Sequence, residues 1–364
     1  MSFRLFENVA LKGLQCLDAE TAHRATIAAL KSGLMPPRKG RPDPRLEVKL
    51  WDLAFPNPVG MAAGFDKNGE VPDALLDLGF GYTEVGSVTP RPQPGNPKPR
   101  VFRLPGDEGV INRYGFNNEG HEALRSRLDG RRSLKGIVGI NVGANKDAED
   151  RIADYVAGIY RFADIASYFT VNISSPNTPG LRDMQARSVL ADLLTGVISA
   201  RDESTHKIGR RVPVLLKIAP DVADEDLTDI VEEVLAKNVD GLIVSNTTVS
   251  REGLSGSPRD QEAGGLSGRP LFHKSTVMLA RARKLSGPDL PIIGVGGIDS
   301  AETAFEKIAA GADLLQLYSS LVFKGPALVA DILNGLSNIL DKQGLGTLRD
   351  ARDGKVEEWA AKTP

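Results

Sequence analysis

Short apolar runs that end in small or polar residues recur along the chain, and each is followed by a stretch with helical spacing. Eight such runs lie at 57–64, 82–88, 136–143, 168–174, 213–219, 241–246, 291–297 and 313–319. The stretches between them, such as DEDLTDIVEEVLAKN and SAETAFEKIAAG, have the period and the capping residues of helices. Alternating strands and helices indicate a parallel sheet. Eight units over about 290 residues predict a (β/α)8 barrel, the TIM-barrel fold.

A doubly wound open sheet is the competing architecture. No G-x-G-x-x-G follows the first apolar run, which disfavours a dinucleotide-binding fold of that kind. Two segments lie outside the repeating pattern. Residues 46–55 read as a strand or hairpin before the first unit, and residues 100–118 are too long for a simple loop. We predict an inserted hairpin in the second segment.

The first 38 residues differ from the remainder of the chain. A first helix is predicted from apolar residues on one face: Phe3, Phe6, Val9, Ala10, Leu14 and Leu17. Asp18 is placed to cap a second short amphipathic helix, which ends near Gly33 before the linker PPRKGRPDPR. Two interpretations stay open: the helices pack on the barrel, or their outer apolar face meets a membrane surface. The predicted division is a helical pair at 1–38, a barrel at 39–345 and a loosely held polar tail at 346–364.

Composition narrows the function classes. The chain has 364 residues and a formal net charge of −2, which gives no support to nucleic-acid binding. Its one cysteine, Cys16, leaves no disulfide within the chain and no cysteine cluster for a metal centre. A reducing compartment is therefore expected. Charged residues such as Glu7 and Lys12 interrupt any signal-peptide core, and no apolar run approaches the ~20 residues that cross a bilayer.

The turns after the last two strands predict a phosphate-binding site. In TIM barrels, catalytic groups sit at the carboxyl ends of the strands, and phosphates bind after strands seven and eight. GVGGI follows the seventh run and YSS follows the eighth, while GGLSG at 264–268 could add to the same cradle. Glycine lets backbone N–H groups approach an anion closely. A glycine-rich turn by itself is more often only a turn.

Lys217 lies inside the apolar run VLLKIAP. A lysine in a buried strand is unfavourable unless it meets an anion or reaches an open site. One interpretation is a lysine that extends to water at the rim of the barrel. The functional interpretation is a cation opposite negative charge that develops during a reaction, such as that of a reduced flavin ring.

Asparagines dominate the predicted strand ends. Each can donate and accept hydrogen bonds, so several together suit a ligand with cyclic amide or urea edges. Any one of them alone is more often a turn or cap residue. Acidic residues are few at these ends, which disfavours a glycosidase carboxylate pair or a divalent metal site. The asparagines concerned are Asn112, Asn141, Asn172, Asn177 and Asn246.

Nine motifs together resemble dihydroorotate dehydrogenase, and specifically its membrane-associated, quinone-dependent class. The resemblance extends from about residue 40 to 340, and the N-terminal helices fit it as well. The motifs are MAAGFDKNG, EVGSVTPRPQPGNPKPRVFRL, INRYGFNN, VNISSPNTPGL, LLKIAPD, SNTT, GGLSG, GVGGI and LYSSL. The resemblance implies oxidation of dihydroorotate to orotate in pyrimidine synthesis. It also implies one non-covalent FMN, and ubiquinone or menaquinone as acceptor.

The resemblance assigns roles to individual residues. Ser175 matches the catalytic base; the cytosolic class has cysteine there. FMN contacts are matched by Ala63, Gly64, Phe65, Asp66, Lys67, Ser87, Asn141, Asn172, Lys217, Ser245, Gly268, Gly297, Tyr318 and Ser319. Substrate contacts are matched by Lys67, Asn112, Arg113, Tyr114, Gly115, Phe116, Asn172, Asn177, Asn246 and Thr247. Quinone-site positions are matched by His23, Arg103 and Tyr318.

The reaction that the resemblance implies explains why polar residues follow the fourth strand, where Ser175 lies. A serine is a weak base, so Ser175 needs alignment, exclusion of bulk solvent and a proton relay through Thr178 and water, with Phe116 nearby. The loop PNTPGLRDMQ is predicted to act as a lid. Lys67 is expected to pair with the orotate carboxylate, and Lys217 to stabilise the reduced flavin.

The expected setting is the cytoplasmic face of the inner membrane, with peripheral contact and neither metal, nucleic acid nor an obligate protein partner. Two alternatives stay open. One is a flavin barrel of the cytosolic fumarate- or NAD-linked class. The other is a non-catalytic, membrane-associated barrel that only binds a phosphate ligand.

Overall fold

The structure is a computed structural model that describes residues 3–33, 35, 43–131 and 136–364. For residues 3–6 and 8 it describes the backbone alone. The predictions for the side chains of Phe3 and Phe6, for the linker at 36–42 and for the boundary between residues 38 and 39 therefore lie outside the described residues.

The described part of the chain forms twelve helices and thirteen strands. The helices are α1 (Phe3–Cys16), α2 (Ala19–Lys31), α3 (Pro72–Asp77), α4 (Gly120–Asp129), α5 (Arg151–Phe162), α6 (Arg187–Ile208), α7 (Asp224–Ala236), α8 (Phe272–Ser286), α9 (Ala301–Ala309), α10 (Ser319–Lys324), α11 (Ala327–Gln343) and α12 (Val356–Ala360). The strands are β1 (Val48–Leu50), β2 (Leu53–Phe55), β3 (Val59–Met61), β4 (Tyr82–Val88), β5 (Val101–Leu104), β6 (Gly109–Asn112), β7 (Ile137–Val142), β8 (Tyr168–Asn172), β9 (Val214–Ile218), β10 (Gly241–Val244), β11 (Gly265–Gly268), β12 (Ile292–Val295) and β13 (Leu314–Leu317).

Eight parallel strands close into a barrel in the order β3, β4, β7, β8, β9, β10, β12, β13 and back to β3. Each strand lies within one of the eight predicted apolar runs, so the predicted (β/α)8 barrel is confirmed. Strand β4 is buried along its whole length, as expected for a parallel strand covered on both faces. The main apolar core fills the space between these strands and the surrounding helices.

Aromatic side chains fill the amino-terminal end of the barrel. The antiparallel hairpin β1–β2 brings Phe55 to the Tyr82 ring, with 5.2 Å between ring centroids. Tyr82 donates a hydrogen bond to the Leu315 carbonyl at 2.9 Å. Glycine is required opposite these rings, because a Cβ at Gly60 would overlap the Tyr82 ring. This end is therefore closed, and the site must lie at the other end.

A three-stranded antiparallel sheet lies outside the barrel, in the order β11, β6, β5. Strands β5 and β6 form the inserted hairpin that the sequence predicts. The third strand, β11, is the GGLSG segment, which the sequence suggested as part of a phosphate cradle. It pairs with β6 through contacts such as Leu266 with Ile111. Sequence patterns miss this pairing because the two strands are more than 150 residues apart in the chain.

The predicted N-terminal helical pair is present as α1 and α2. The Asp18 carboxylate accepts hydrogen bonds from the backbone N–H groups of Glu20 and Thr21, so it caps α2 as predicted. The inner face of α2 packs on the body of the protein through Ala22, Ile27 and Leu30. On α1 and just after it, Val9 is 58% exposed and Leu17 is 42% exposed. Among the described residues, no helix is both long and apolar enough to cross a membrane.

The prediction of a loosely held tail after residue 345 is wrong. Helix α12 packs against α8, and Trp359 is only 7% exposed. The Trp359 indole donates to the Glu306 carboxylate at 3.0 Å. Arg281 donates to the carbonyls of Ala360 and Lys362 at 3.2 and 2.9 Å. The buried Trp359 side chain and the hydrogen bonds from Arg281 to backbone carbonyls therefore hold the polar C-terminal segment in place.

Candidate active site

A cavity of about 690 Å³ opens at the carboxyl ends of the barrel strands. Its walls come from the strand ends, from the outer three-stranded sheet and from α1 and α2. Small-molecule sites in proteins commonly have volumes of about 300–1,000 Å³. The polar strand ends and the N-terminal helices therefore share one enclosed space of ligand size.

Most of the predicted site residues line this cavity. Ser175 does so, together with the three quinone-site candidates His23, Arg103 and Tyr318. Of the predicted FMN contacts, the lining residues are Ala63, Gly64, Phe65, Lys67, Ser87, Asn172, Lys217, Ser245, Gly268, Gly297, Tyr318 and Ser319. Further predicted substrate contacts in the wall are Asn112, Tyr114, Gly115, Phe116, Asn177, Asn246 and Thr247.

Three predicted site residues do not line the cavity. Asp66 accepts hydrogen bonds from the backbone N–H groups of Glu70 and Val71, both at 2.8 Å, so it organises the turn before α3. Arg113 forms an ion pair with Glu262 at 2.7 Å. Asn141 lies fully buried behind Ser87, whose hydroxyl donates to its Oδ1. These three residues support the wall, because their polar groups are used by the protein.

Ser175 lies in the loop directly after β8 and is 6% exposed. Its Oγ accepts a hydrogen bond from the Asn177 backbone N–H at 3.2 Å. The Thr178 hydroxyl is buried and has no hydrogen-bond partner in the described part of the chain. The relay from Ser175 through Thr178 is thus not formed here and stays a prediction.

Arg182 fastens the loop that follows Ser175. Its guanidinium donates to the Ser174 carbonyl at 3.2 Å and to the Thr247 carbonyl at 3.0 Å. The same group pairs with Asp221 at 2.9 Å. Arg182 therefore ties the base of this loop to the ends of β8 and β10. The movement of the loop tip as a lid stays a prediction.

The asparagines at the strand ends form two hydrogen-bonded sets in the wall of the cavity. Asn172 Nδ2 donates to Ser87 Oγ at 2.9 Å. Asn246 Nδ2 donates to Asn172 Oδ1 at 3.2 Å and to Ser174 Oγ at 2.9 Å. On the opposite side, Asn177 Nδ2 lies 3.3 Å from Asn112 Oδ1. The prediction that these amides converge is correct for four of the five asparagines, since Asn141 lies behind the wall.

Glu84 is a buried carboxylate that the sequence analysis did not single out. It lies fully buried inside β4 and accepts hydrogen bonds from four side chains. The donors are Asn141 at 2.7 Å, Tyr168 at 3.0 Å, Thr170 at 3.0 Å and Gln316 at 2.7 Å. The signal in the sequence is an acidic residue within the otherwise apolar run YTEVGSV, where an unpaired carboxylate would be unfavourable.

Two lysines bring positive charge to the cavity. Lys67 donates to the Gly64 carbonyl at 2.6 Å, and its Nζ lies 4.1 Å from the centroid of the Tyr114 ring. Burial lowers the pKa of Lys67 to about 8. Lys217 is 5% exposed and has no hydrogen-bond partner in the part of the chain that the structure describes. Burial also lowers the pKa of Lys217, and the negative charge of Glu84 opposes this effect.

The turn after β12 forms a glycine cradle. Gly296 and Gly297 have φ angles of 111° and 72°, which residues with a side chain rarely adopt. A Cβ at Gly297 would also overlap Phe272. Nearby, the hydroxyls of Ser267 and Ser319 lie 2.8 Å apart. Backbone approach of this kind suits an anionic group such as a phosphate.

Several polar atoms on the wall are buried without a partner among the described residues: Asn117 Oδ1, Thr247 Oγ1, Gln316 Oε1 and Ser320 Oγ. Such atoms are unfavourable unless a ligand or water satisfies them. Together with the glycine cradle and two cavity lysines, they fit a ligand with a phosphate and a polar ring edge. A flavin mononucleotide has both groups.

The part of the cavity beneath the N-terminal helices is mostly apolar, and its polar residues include the three predicted quinone-site positions. His23 Nε2 donates to the Phe65 carbonyl at 2.8 Å, and burial lowers the pKa of His23 to about 3. Arg103 donates to the carbonyls of Leu14, at 3.2 Å, and Leu17. Tyr318 lies against Phe65, with 5.4 Å between ring centroids. This part suits an apolar molecule with a polar ring.

The fold and the cavity define an enzyme of the TIM-barrel class, with its site at the carboxyl ends of the strands. The family model of dihydroorotate dehydrogenase matches residues 45–340. The chain belongs to the dihydroorotate dehydrogenase family. Membership implies a flavin cofactor.

Curated relatives match over nearly the whole chain. A protein of Rhizobium johnstonii named dihydroorotate dehydrogenase (quinone) is 61% identical over 357 residues, which are 98% of each chain. One of Agrobacterium fabrum with the same name is 60% identical over 356 residues, again 98% of each chain. Among solved structures, the ligand-free enzyme of Eimeria tenella has a TM-score of 0.88 at 39% identity, covering 93% of this chain and 99% of that one. The ferulenol complex of that enzyme also has a TM-score of 0.88, at 38% identity, covering 92% of this chain and 95% of that one.

Proposed function

We propose that this protein oxidises dihydroorotate to orotate in pyrimidine biosynthesis, with bound FMN as hydride acceptor and a quinone, ubiquinone or menaquinone, as terminal acceptor. The observation that carries the proposal is one continuous cavity. It joins Ser175 and the asparagine wall at the strand ends to an apolar space beneath α1 and α2. The quinone-dependent relatives, which match 98% of the chain, support the choice of acceptor.

The wall suits the substrate ring. Dihydroorotate has a carboxylate and a cyclic urea, whose edge alternates N–H donors and carbonyl acceptors. Asn112, Asn177 and Asn246 offer both kinds of group. Lys67 supplies a cation for the carboxylate, and its pKa near 8 keeps it charged at neutral pH.

Ser175 removes the proton in the proposed reaction. Bound FMN would supply the acceptor for the hydride from the neighbouring carbon and the route for its electrons to the quinone. Ser175 is buried, so solvent molecules compete little with the substrate for its hydroxyl. The Asn177 N–H bond orients Ser175 Oγ. The free hydroxyl of Thr178 is the group proposed to receive the proton from it while passing its own proton on to water.

The residues proposed to hold FMN divide by chemistry. The glycine cradle at Gly297 and the hydroxyl of Ser319 would hold its phosphate. Lys217 has no partner among the described residues and would supply positive charge beside the ring. Ser87 and Asn172 would hold its polar edge. Asp66 and Asn141 would act from behind the wall.

Residues 1–38 are proposed to provide access for the quinone from a membrane surface. The exposed Val9 and Leu17 give the helical pair an outer apolar surface, and the inner side of α2 lines the cavity. Arg103 and His23 are proposed to contact the quinone head group. The proposed location is peripheral, on the cytoplasmic face of the inner membrane, with no obligate protein partner.

Orotate formation with different electron acceptors tests this function. With purified protein and dihydroorotate, a soluble ubiquinone analogue is expected to support turnover, whereas fumarate and NAD⁺ are not. Turnover with fumarate or NAD⁺ in place of quinone would assign the protein to the cytosolic class. Flavin that stays oxidised in the presence of dihydroorotate would instead favour a non-catalytic binding protein.

A further inference from the structure

A continuous chain of hydrogen bonds runs along the cavity wall from the loop after β10 and then behind it to the middle of β4. Each member donates to the next, always in the same direction. We call this chain the amide relay; its members in order of donation are Thr247, Asn246, Asn172, Ser87, Asn141 and Glu84.

The first end of the amide relay can only donate. The backbone N–H of Thr247 donates to Asn246 Oδ1 at 2.8 Å. This leaves the Asn246 amide nitrogen to donate onward to Asn172 Oδ1 at 3.2 Å. Asn172 in turn donates to Ser87 Oγ at 2.9 Å. A backbone N–H cannot reverse its polarity, so that of Thr247 fixes the Asn246 amide, and that of Ser174, which donates to Asn172 Oδ1 at 3.3 Å, fixes the Asn172 amide.

The second end can only accept. Glu84 Oε1 accepts from the Asn141 amide nitrogen at 2.7 Å, so Asn141 Oδ1 faces the Ser87 hydroxyl. Ser87 therefore gives its proton to Asn141 and keeps a lone pair for Asn172. Both ends specify the same polarity. Side-chain amides have no such preference of their own, because either end of the group can be turned inward.

We propose that Glu84 is a positioning residue, which holds the Asn141 amide and thereby directs the Ser87 hydroxyl proton away from the cavity, so that Ser87 faces the cavity as an acceptor. This inference rests on the proposed function, because Ser87 is one of the groups proposed to hold the polar edge of the cofactor against which the substrate is oxidised. Glu84 itself lies behind the wall and touches neither.

The substitution Glu84→Gln removes the fixed acceptor at nearly constant volume. Three donors converge on Glu84 Oε2, from Tyr168, Thr170 and Gln316, so the new carboxamide keeps its oxygen there. Its NH2 group then faces the NH2 group of Asn141. Asn141 must turn over, and its NH2 group then faces Ser87 Oγ, which also accepts from Asn172. A hydroxyl oxygen can accept both bonds, so the reversal ends at Ser87, and the Ser87 proton loses its acceptor in the wall and turns towards the cavity.

A second substitution can restore the polarity. In the double variant Glu84→Gln with Asn141→Asp, the new carboxylate accepts from Gln at position 84 on one side and from Ser87 on the other. The buried charge is kept, and the direction from Ser87 outward is that of the wild type. Thr170→Val is the matched control, since it removes a donor to Glu84 without touching the relay.

The first measurement is the dissociation constant of orotate from the oxidised flavoprotein, and the change in flavin absorbance reports the binding. Glu84→Gln is expected to weaken binding by about tenfold or more, because the Ser87 proton loses its buried acceptor and faces the cavity. Thr170→Val and the double variant are expected within about threefold of wild type. Unchanged binding in Glu84→Gln, an equal loss in Thr170→Val, or no recovery in the double variant would each overturn the proposal.

Melting temperatures without orotate separate this proposal from the proposed function. Failure of the wild type to bind orotate refutes the function alone. The proposal for Glu84 still predicts that Glu84→Gln melts about 2 °C or more below Thr170→Val and that the double variant recovers the lost melting temperature. A double variant that does not recover it would overturn the proposal. If Glu84→Gln does not fold, a folded double variant supports the relay and an unfolded one overturns it.

Discussion

Orotate binding should weaken as the pH rises past the pKa of Lys67. Lys67 is proposed to pair with the ligand carboxylate, and burial places its pKa at about 8 instead of the ordinary 10.5. Below pH 8 the amine is mostly charged; at pH 9 only about one-tenth of the molecules carry the charge. Because only the charged form pairs with the carboxylate, the dissociation constant at pH 9 should be about tenfold above its value at pH 7.

The assay is a titration of the oxidised flavoprotein with orotate at steps from pH 6.5 to 9. The matched control is Lys67→Gln, whose side chain can still donate to the Gly64 carbonyl but cannot be charged. This variant should bind orotate more weakly than the wild type at pH 7. Its dissociation constant should not rise between pH 7 and 9, apart from any change caused by the titration of orotate itself. That titration affects both proteins alike, so the ratio of their dissociation constants isolates Lys67. A constant ratio across this range would refute the reasoning.

Three further predictions concern other parts of the cavity. Ser175→Ala should keep FMN and bind orotate, yet stopped-flow reduction by dihydroorotate should slow by about 1,000-fold; a rate near that of the wild type would remove Ser175 from the base role. Gly297→Ala should lower the ratio of FMN to protein after purification, because the new Cβ overlaps Phe272; a full complement of FMN would argue against the phosphate cradle. Arg103→Ala should raise the quinone KM by about tenfold and leave the dihydroorotate KM unchanged; equal changes in both would contradict a quinone-side role.

The barrel could be predicted from sequence because its strands leave a local signal. Each parallel strand is buried on both faces and therefore reads as a short apolar run, and caps such as Ser300 mark the helices between them. The tail was misjudged because its attachment depends on one residue, Trp359, and on carbonyls that accept from Arg281. Backbone acceptors leave no trace in a sequence.

The candidate site was predictable where chemistry is concentrated at strand ends. Lys217, Asn172 and Ser175 follow from their positions relative to the strands. Asp66 and Asn141 were placed with the cofactor contacts, but they lie behind the wall because neighbouring groups use their polar atoms. The role of Glu84 could not be predicted, because a single acidic residue within an apolar run does not indicate which residues will donate hydrogen bonds to it. Those partners come from separate strands, and only the closed barrel brings them together.

The most direct test of the proposed reaction is the anaerobic addition of dihydroorotate to the purified protein, followed by a quinone. Oxidised flavin absorbance should disappear with the formation of one orotate per flavin, and should return when the quinone is added. Absorbance that persists after dihydroorotate is added, or a purified protein without flavin, would contradict the account.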